Sequence, residues 1–303
     1  MTLSPLAALL IDWVVTALWP LIGASGMRHF SGLLFSSAGL LIGLVVLAPF
    51  LAAGGRWRRV FAPDVMPSLA AMGFFSGLAT AIYISALAYT TPANAAIMAQ
   101  VEVLYSAVLC AWLLGERPTL KQALATLLVL LGTGLIMFRD LSSPRWRGDL
   151  MILLTPWMYQ VSHIFSKRLP KDLDAWTLSG GRVLFGLVTM APLCAWSVYH
   201  GGRWSWEAPA LGLLALQGLL MSSTNFVLWY LAIRRMDLTS ATSIMLSYPA
   251  LTLVFSWALG HEHVHGLQIA GMLVTMAGAT WTSRLVVEAQ RARVEGPLPA
   301  ATL

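Results

Sequence analysis

The sequence predicts an all-α integral membrane protein of ten transmembrane helices, and three observations carry that prediction. Of the 303 residues, 58% are hydrophobic and only 11% are charged, with a mean hydropathy of +0.73. A soluble globular chain sits nearer half apolar and a quarter charged. Ten apolar stretches are long enough to be spanning helices, each of which needs roughly 20 residues. Ten such helices use about 200 residues and leave about 100 for loops and tails. That excludes a sizeable domain outside the bilayer, whether an ATPase, a receptor head or a nucleic-acid-binding module. It also excludes an ordinary soluble enzyme and a disordered chain. The net charge of +6 is a topology signal here, because the basic residues sit at helix ends.

In chain order the predicted helices cover residues 5–22, 31–53, 67–89, 93–114, 120–138, 148–165, 176–199, 208–233, 239–259 and 267–287. Their length and lack of strict alternation favour helices over barrel strands. Gly, Pro and charge punctuate their ends: Gly54-Gly55-Arg56 closes the second, and Arg145-Trp146-Arg147 precedes the sixth. The stretch from Met1 to Val15 lacks a basic start and carries Asp12, so it reads as a first membrane helix and not a cleaved leader. The tail after Glu288 is polar, contains Pro297 and Pro299, and is expected to fray. Cys110 and Cys194 each lie in an apolar run and read as packing residues, which excludes a disulfide framework or a Cys-rich metal site.

Cytoplasmic loops carry the excess of Lys and Arg. With the N-terminus inside, thirteen of the 19 basic residues fall on the cytoplasmic side, five outside, and Arg182 within a helix. Both termini are therefore expected in the cytoplasm.

The halves resemble each other. Sliding the chain by 146 residues lays 86–132 on 232–278, with Glu116 on Glu262, Gln122 on Gln268 and Gly132 on Gly278 among eight identities in 47 positions. Five helices in each half force opposite orientations, and inverted repeats with a midplane site between them are a transporter architecture. The predicted units are residues 1–142, residues 143–287 and a cytoplasmic tail, 288–303.

Four segments then carry a resemblance: GERPTLKQALATLLVLLGTGLIMF (115–138), ALAYTTPANAA (86–96), GDLMILLTPWMYQVSHIFSKRL (148–169) and YPALTLVFSWALGHE (248–262). They resemble the EamA-type transporters of the drug/metabolite transporter superfamily over nearly the whole chain. The family's usual fourth-helix Pro is Val103 here, and Trp19-Pro20 stands where Trp-Gly is usual. The resemblance implies two inverted five-helix repeats around a central cavity lined mainly by the first, third, fourth, sixth, eighth and ninth helices. It implies a multi-pass inner-membrane transporter and not an enzyme, with no cofactor and no nucleic-acid partner. Its partners would be a small-molecule substrate and membrane lipid. A monomer is expected, with a homodimer as the alternative. Family members export amino acids, move nucleotide-derived compounds or triose phosphates, or expel drugs; on that resemblance this chain is expected to export amino acids or related small metabolites by alternating access, as an aromatic amino acid exporter does, with aromatic and apolar ones favoured by its rings.

An ionisable residue deep in a membrane helix costs about 2.5–3.5 kcal/mol on insertion scales and marks a functional site by default. Two carboxylates lie near mid-helix, Asp12 and Glu102. Asp12 shares a face with Thr16 and Trp19, and Glu102 with Met98 and Tyr105. Either could hold a substrate ammonium or exchange a proton; the bland alternative is a structural carboxylate paired with Arg182 or His163. Rings beside amide and hydroxyl groups suit a ligand with an apolar body and a polar head. Tyr83 shares a face with Ser76 and Thr80; Trp157, Gln160 and His163 form a stripe; Ser222, Asn225 and Trp229 share a face; Tyr248 follows Ser243 and Ser247. The expected substrate-binding residues are thus Asp12, Trp13, Tyr83, Glu102, Trp157, Gln160, His163, Asn225, Trp229 and Tyr248. Most of the 13 Trp must nonetheless be interfacial anchors. Gly39-x3-Gly43 and Gly73-x3-Gly77 let helices approach closely.

His261-Glu262-His263-Val264-His265 fits the H-E-x-x-H zinc-protease pattern. That chemistry needs both His on one helix face, and this segment falls at a turn between Gly260 and Gly266, so no metal site is expected. An intramembrane protease is the rival from another class. Within transport, the rival is an exporter of lipophilic cations.

Overall fold

The computed structural model describes residues 3–102, 105, 109, 112–113, 119–137, 146–245, 247–259 and 266–295, and among these regular structure is helical throughout. Helix α1 (Pro5–Gly26) opens on Ser4, whose hydroxyl accepts the Ala7 N–H at 3.1 Å. Helix α2 (Gly32–Ala52) is stopped by Gly54 and Gly55, whose φ of 79° and 68° are left-handed conformations that a side chain resists. The short α3 (Arg56–Val60) falls where the sequence predicts a loop. Helix α4 (Met66–Ala86) follows, and then α5 (Pro92–Met98), which tightens into a 3-10 turn at Ala99–Val101. Helix α6 (Leu120–Met137) ends the first half.

The predicted sixth helix is two, α7 (Trp146–Leu153) and α8 (Pro156–Arg168). Pro156 has no N–H to continue the ladder, and the Thr155 hydroxyl donates instead to the Ile152 carbonyl at 2.9 Å. Asp174 caps α9 (Ala175–Tyr199), accepting from the Thr177 N–H at 2.8 Å. The predicted eighth helix runs as α10 (Ala208–Leu216), a π-helical stretch Gln217–Thr224 and α11 (Asn225–Ile233). The ninth is divided into α12 (Leu238–Met245) and α13 (Tyr248–Ala258), with Pro249 in the first turn of α13. Helix α14 (Gly266–Glu295) continues past the point where the sequence places a frayed tail.

Among the described residues, five spans are by themselves long and apolar enough to cross a membrane: Pro5–Gly26, Gly32–Val60, Met66–Ala86, Ala175–Tyr199 and Ala208–Ile233. The outer surface agrees, since Val45, Val188 and Leu131 are 65%, 60% and 57% exposed. Trp112, Trp146 and Trp206 are also strongly exposed, as interfacial anchors are.

Helix α9 packs across α2 and α4, and α1 lies against α11 and α13. Glycine pairs permit the closest approaches, of α2 to the π-helical stretch and of α4 to α9. A Cβ at Gly43 would meet the Ser222 carbonyl oxygen at 2.8 Å, and one at Gly73 the Gly186 nitrogen at 2.6 Å. Helix α6 packs along α14 with a reciprocal contact. A Cβ at Gly132 would stand 2.4 Å from Thr275 N, and one at Gly278 2.8 Å from Val129 N. Each pair is the other displaced by 146 residues, the offset that aligns the halves. Cys194 is half-buried and unpaired, while Cys110, Val103 and Glu116 lie outside the described residues.

Candidate functional site

The helix irregularities surround one central cavity. The centre of a water molecule can occupy about 130 Å³ of it. Helix α1 contributes Asp12, Thr16 and Trp19, one face at helical spacing. Helix α4 adds Thr80 and Tyr83, and the 3-10 turn beyond α5 brings Ala99 and then Glu102. The break before α8 supplies Thr155 and Pro156, and α8 itself Tyr159 and His163. The π-helical stretch adds Gln217, Met221 and Ser222, and α11 adds Asn225, Phe226 and Trp229. Thr242, Met245 and Tyr248 come from the broken ninth segment, and Arg182 from α9. Two pairs on this wall, Glu102 with Tyr248 and Tyr83 with Trp229, again stand 146 residues apart.

Neither carboxylate is paired with Arg182 or His163, the bland alternative read from sequence. Asn225 Nδ2 donates to Asp12 Oδ1 at 2.8 Å and to Thr16 Oγ1 at 2.8 Å. Gln160 Nε2 donates to Glu102 Oε1 at 2.7 Å and to Thr242 Oγ1 at 3.3 Å. Each acid is thus held by a neutral amide, which fixes its position without forming an ion pair. The second oxygen of Asp12 is buried with no partner among the described residues, as are Trp19 Nε1, Gln217 Oε1 and Arg182 Nε. Buried polar groups are nearly always satisfied. A cluster of orphans around one cavity is therefore a set of contacts open to a ligand.

The apolar side of the cavity is equally organised. Trp19 stacks on Tyr83 with ring centroids 4.2 Å apart and planes 11° apart, and the edge of Tyr159 meets Trp19 at 6.2 Å. The Tyr159 hydroxyl bonds Thr80 Oγ1 at 3.0 Å. Trp229 Nε1 donates to His163 Nδ1 at 2.9 Å.

Of the residues expected from sequence, Asp12, Tyr83, Glu102, His163, Asn225, Trp229 and Tyr248 line the cavity. Gln160 stands behind Glu102, fully buried, and orients it. Trp13 packs instead with Ala17, Ala96 and Tyr248. Trp157 is 36% exposed and meets the edge of Phe75 at 6.0 Å, away from the cavity. The stripe of Trp157, Gln160 and His163 fails for a geometric reason. Steps of three residues drift about 60° each on a helix of 3.6 residues per turn, so its ends lie about 120° apart. Tyr159, four before His163, is the true neighbour on that face.

Arg182, Trp19 and Phe226 were within reach of sequence reasoning but are absent from its expected binding set. Arg182 has the strongest signal, as the one Lys or Arg that lies away from the ends of a predicted span. His261, Glu262 and His265 lie outside the described residues. Among the described residues no group of three or more His, Cys, Asp or Glu side chains could hold a metal.

The pattern of the EamA-like transporter family matches the chain twice, over residues 3–138 and 146–284. An uncharacterized transporter of Bacillus subtilis (strain 168), YoaV, is 21% identical over 258 residues, covering 84% of this chain and 87% of the relative. An uncharacterized transporter of Archaeoglobus fulgidus is 24% identical over 253 residues, covering 79% of this chain and 84% of that one. A solved crystal structure superposes with a TM-score of 0.75 at 18% identity, covering 94% of this chain and 99% of the other, a likeness of fold alone.

Proposed function

The chain belongs to the EamA-like transporter family of multi-pass membrane proteins, and on that premise we propose that it exports amino acids, aromatic and other apolar ones favoured. The observation that carries this is the pairing of a buried carboxylate, Asp12, and a half-buried one, Glu102, each held by an amide and neither in an ion pair among the described residues, with a wall of stacked rings. Asp12 or Glu102 receives the substrate ammonium; Trp19, Tyr83 and Trp229 hold the side chain. An ammonium over an aromatic face gains further from the ring quadrupole.

The working cycle is alternating access between two inverted five-helix repeats, residues 1–142 and 143–287, in an inner membrane with both termini cytoplasmic. Three observations support the repeats: the twofold family match, the reciprocal Gly132 and Gly278 contacts, and the repeated wall positions. Broken helices beside the cavity are where transporters bind substrate.

The second reading, an exporter of lipophilic cations, is favoured by the same carboxylates and rings. Counterflow in proteoliposomes with a labelled amino-acid panel at two pH values separates them. Saturable exchange of apolar amino acids is expected. Exchange confined to lipophilic cations would replace the first reading with the second.

A further inference from the structure

Arg182 is a charged cavity residue that the amino-acid reading leaves without a role. It is 3% exposed and lies within a spanning helix, where a charge without a counterion is disfavoured. Its guanidinium carbon sits 4.0 Å from the centre of the Phe226 ring, and one terminal nitrogen donates to the Tyr230 hydroxyl at 3.2 Å. Among the described residues its Nε–H has no partner. Among the described residues it forms no ion pair, although two carboxylates share the cavity with it. The Phe226 face and the Tyr230 hydroxyl hold the planar fork in place without supplying it an anion.

A guanidinium presents five donors in a plane that matches a carboxylate through two parallel hydrogen bonds. The same group repels a cation, and repulsion is a common route to specificity. We infer that Arg182 is the specificity-determining residue of this cavity: it takes the carboxylate of the substrate and rejects ligands that bring only a positive charge. With Asp12 Oδ2 unpartnered for an ammonium group, the cavity selects zwitterions over the matching amines. This rests on the amino-acid reading for the ammonium end and adds the acid end, which that reading leaves unassigned.

The test uses three labelled probes of one shape in proteoliposome counterflow: phenylalanine, 2-phenylethylamine and 3-phenylpropionate. They carry both charges, the positive charge alone and the negative charge alone. A site built to hydrogen-bond a polar group strongly rejects an analogue lacking it. Wild-type protein should exchange phenylalanine at least tenfold faster than the amine. In Arg182→Met, phenylalanine exchange should fall at least tenfold, and the ratio of amine to phenylalanine should rise at least tenfold. A merely structural role would lower both probes together and leave that ratio unmoved.

An unchanged ratio with phenylalanine still exchanged overturns the inference and leaves the amino-acid reading standing. Exchange of phenylpropionate but not phenylalanine, lost in Arg182→Met, upholds Arg182 and overturns the amino-acid reading. Exchange of the amine alone, or of none of the three, overturns both. Should Arg182→Met give no monodisperse protein, Arg182→Gln keeps a donor toward Tyr230, removes the charge and is read the same way. If neither variant folds, wild-type protein decides, and equal exchange of amine and phenylalanine overturns the inference.

Discussion

Trp229 donates its indole N–H to His163 Nδ1 at 2.9 Å, so the imidazole accepts at that nitrogen and its ring proton resides on Nε2. The two rings, one from α11 and one from α8, lie 4.8 Å apart at the cavity wall. Trp229→Phe keeps most of the ring and deletes the donor. It should leave a buried acceptor unsatisfied at a cost of about 1–3 kcal/mol, read as a lower melting temperature in detergent. A melting temperature equal to wild type would mean that Nδ1 finds another donor.

Glu102→Gln tests the carboxylate that Gln160 positions. The amide is the same size and can still meet Gln160, so expression and melting temperature should stay near wild type. Amino-acid counterflow should fall at least tenfold, as an interaction with an ammonium loses its charge. Transport at the wild-type rate would remove Glu102 from the substrate's path.

Gly43→Ala and Gly212→Ala should move stability in opposite directions. At Gly43 the added methyl meets the backbone of Ser222 within 2.9 Å, and a packed backbone yields at about 1–3 kcal/mol. At Gly212 nothing lies within 4 Å of the new carbon. There the residue sits inside α10, and Ala should gain about 0.5–1 kcal/mol from lost chain entropy. Thermal melts of the two variants in one detergent decide the matter, and equal shifts would contradict the close approach of α2 to the π-helical stretch.

Asp174, which lies outside the spanning segments, ties two helix ends together. It accepts from Thr177 and, at 2.5 Å, from Arg56 Nε, joining the start of α9 to α3. Burial pushes its carboxyl up, but the Thr177 and Arg56 hydrogen bonds outweigh that and hold it below the ordinary carboxylate range. Its contribution is therefore fully present above the unfolded value of about 3.9 and is lost as the pH falls through the lowered folded value. Asp174→Ala should cost about 0.5–2 kcal/mol at pH 7. Melts taken between about pH 5 and pH 3 should be less acid-sensitive in the variant than in wild type. An identical acid slope would refute the cap's share.

Hydropathy finds the five long spans, and spacing finds two acids that line the cavity, Asp12 and Glu102, because lipid imposes length on the one and cost on the other. Asp12, Thr16 and Trp19 fall on one face because α1 is regular there, and the sequence finds them at i, i+4 and i+7. The sequence misreads Trp157 because its stripe assumed a period that a helix does not have. It also reads a single helix where Pro156 and Pro249 mark divisions, although both prolines were visible. Nothing in Gln217–Thr224 announces π winding; the stretch packs closely on Gly39 and Gly43, a contact that only the folded chain makes. The partners of the acids, Gln160 and Asn225, come from distant positions, 58 and 213 residues away, and only the folded chain joins them.

The π-helical stretch has a consequence for how this wall can change over generations. Hydrogen bonds that skip an extra residue leave the segment with more chain than an α-helix of the same height requires. A deletion of one residue inside an ordinary spanning helix turns everything beyond it by about 100°. Within Gln217–Thr224 the surplus residue can be lost and the ladder made regular without interrupting the span. What such a deletion changes is which of Gln217, Met221, Ser222 and Asn225 look inward. The preference of the cavity can therefore be rewritten by a change in chain length as readily as by a change of side chain.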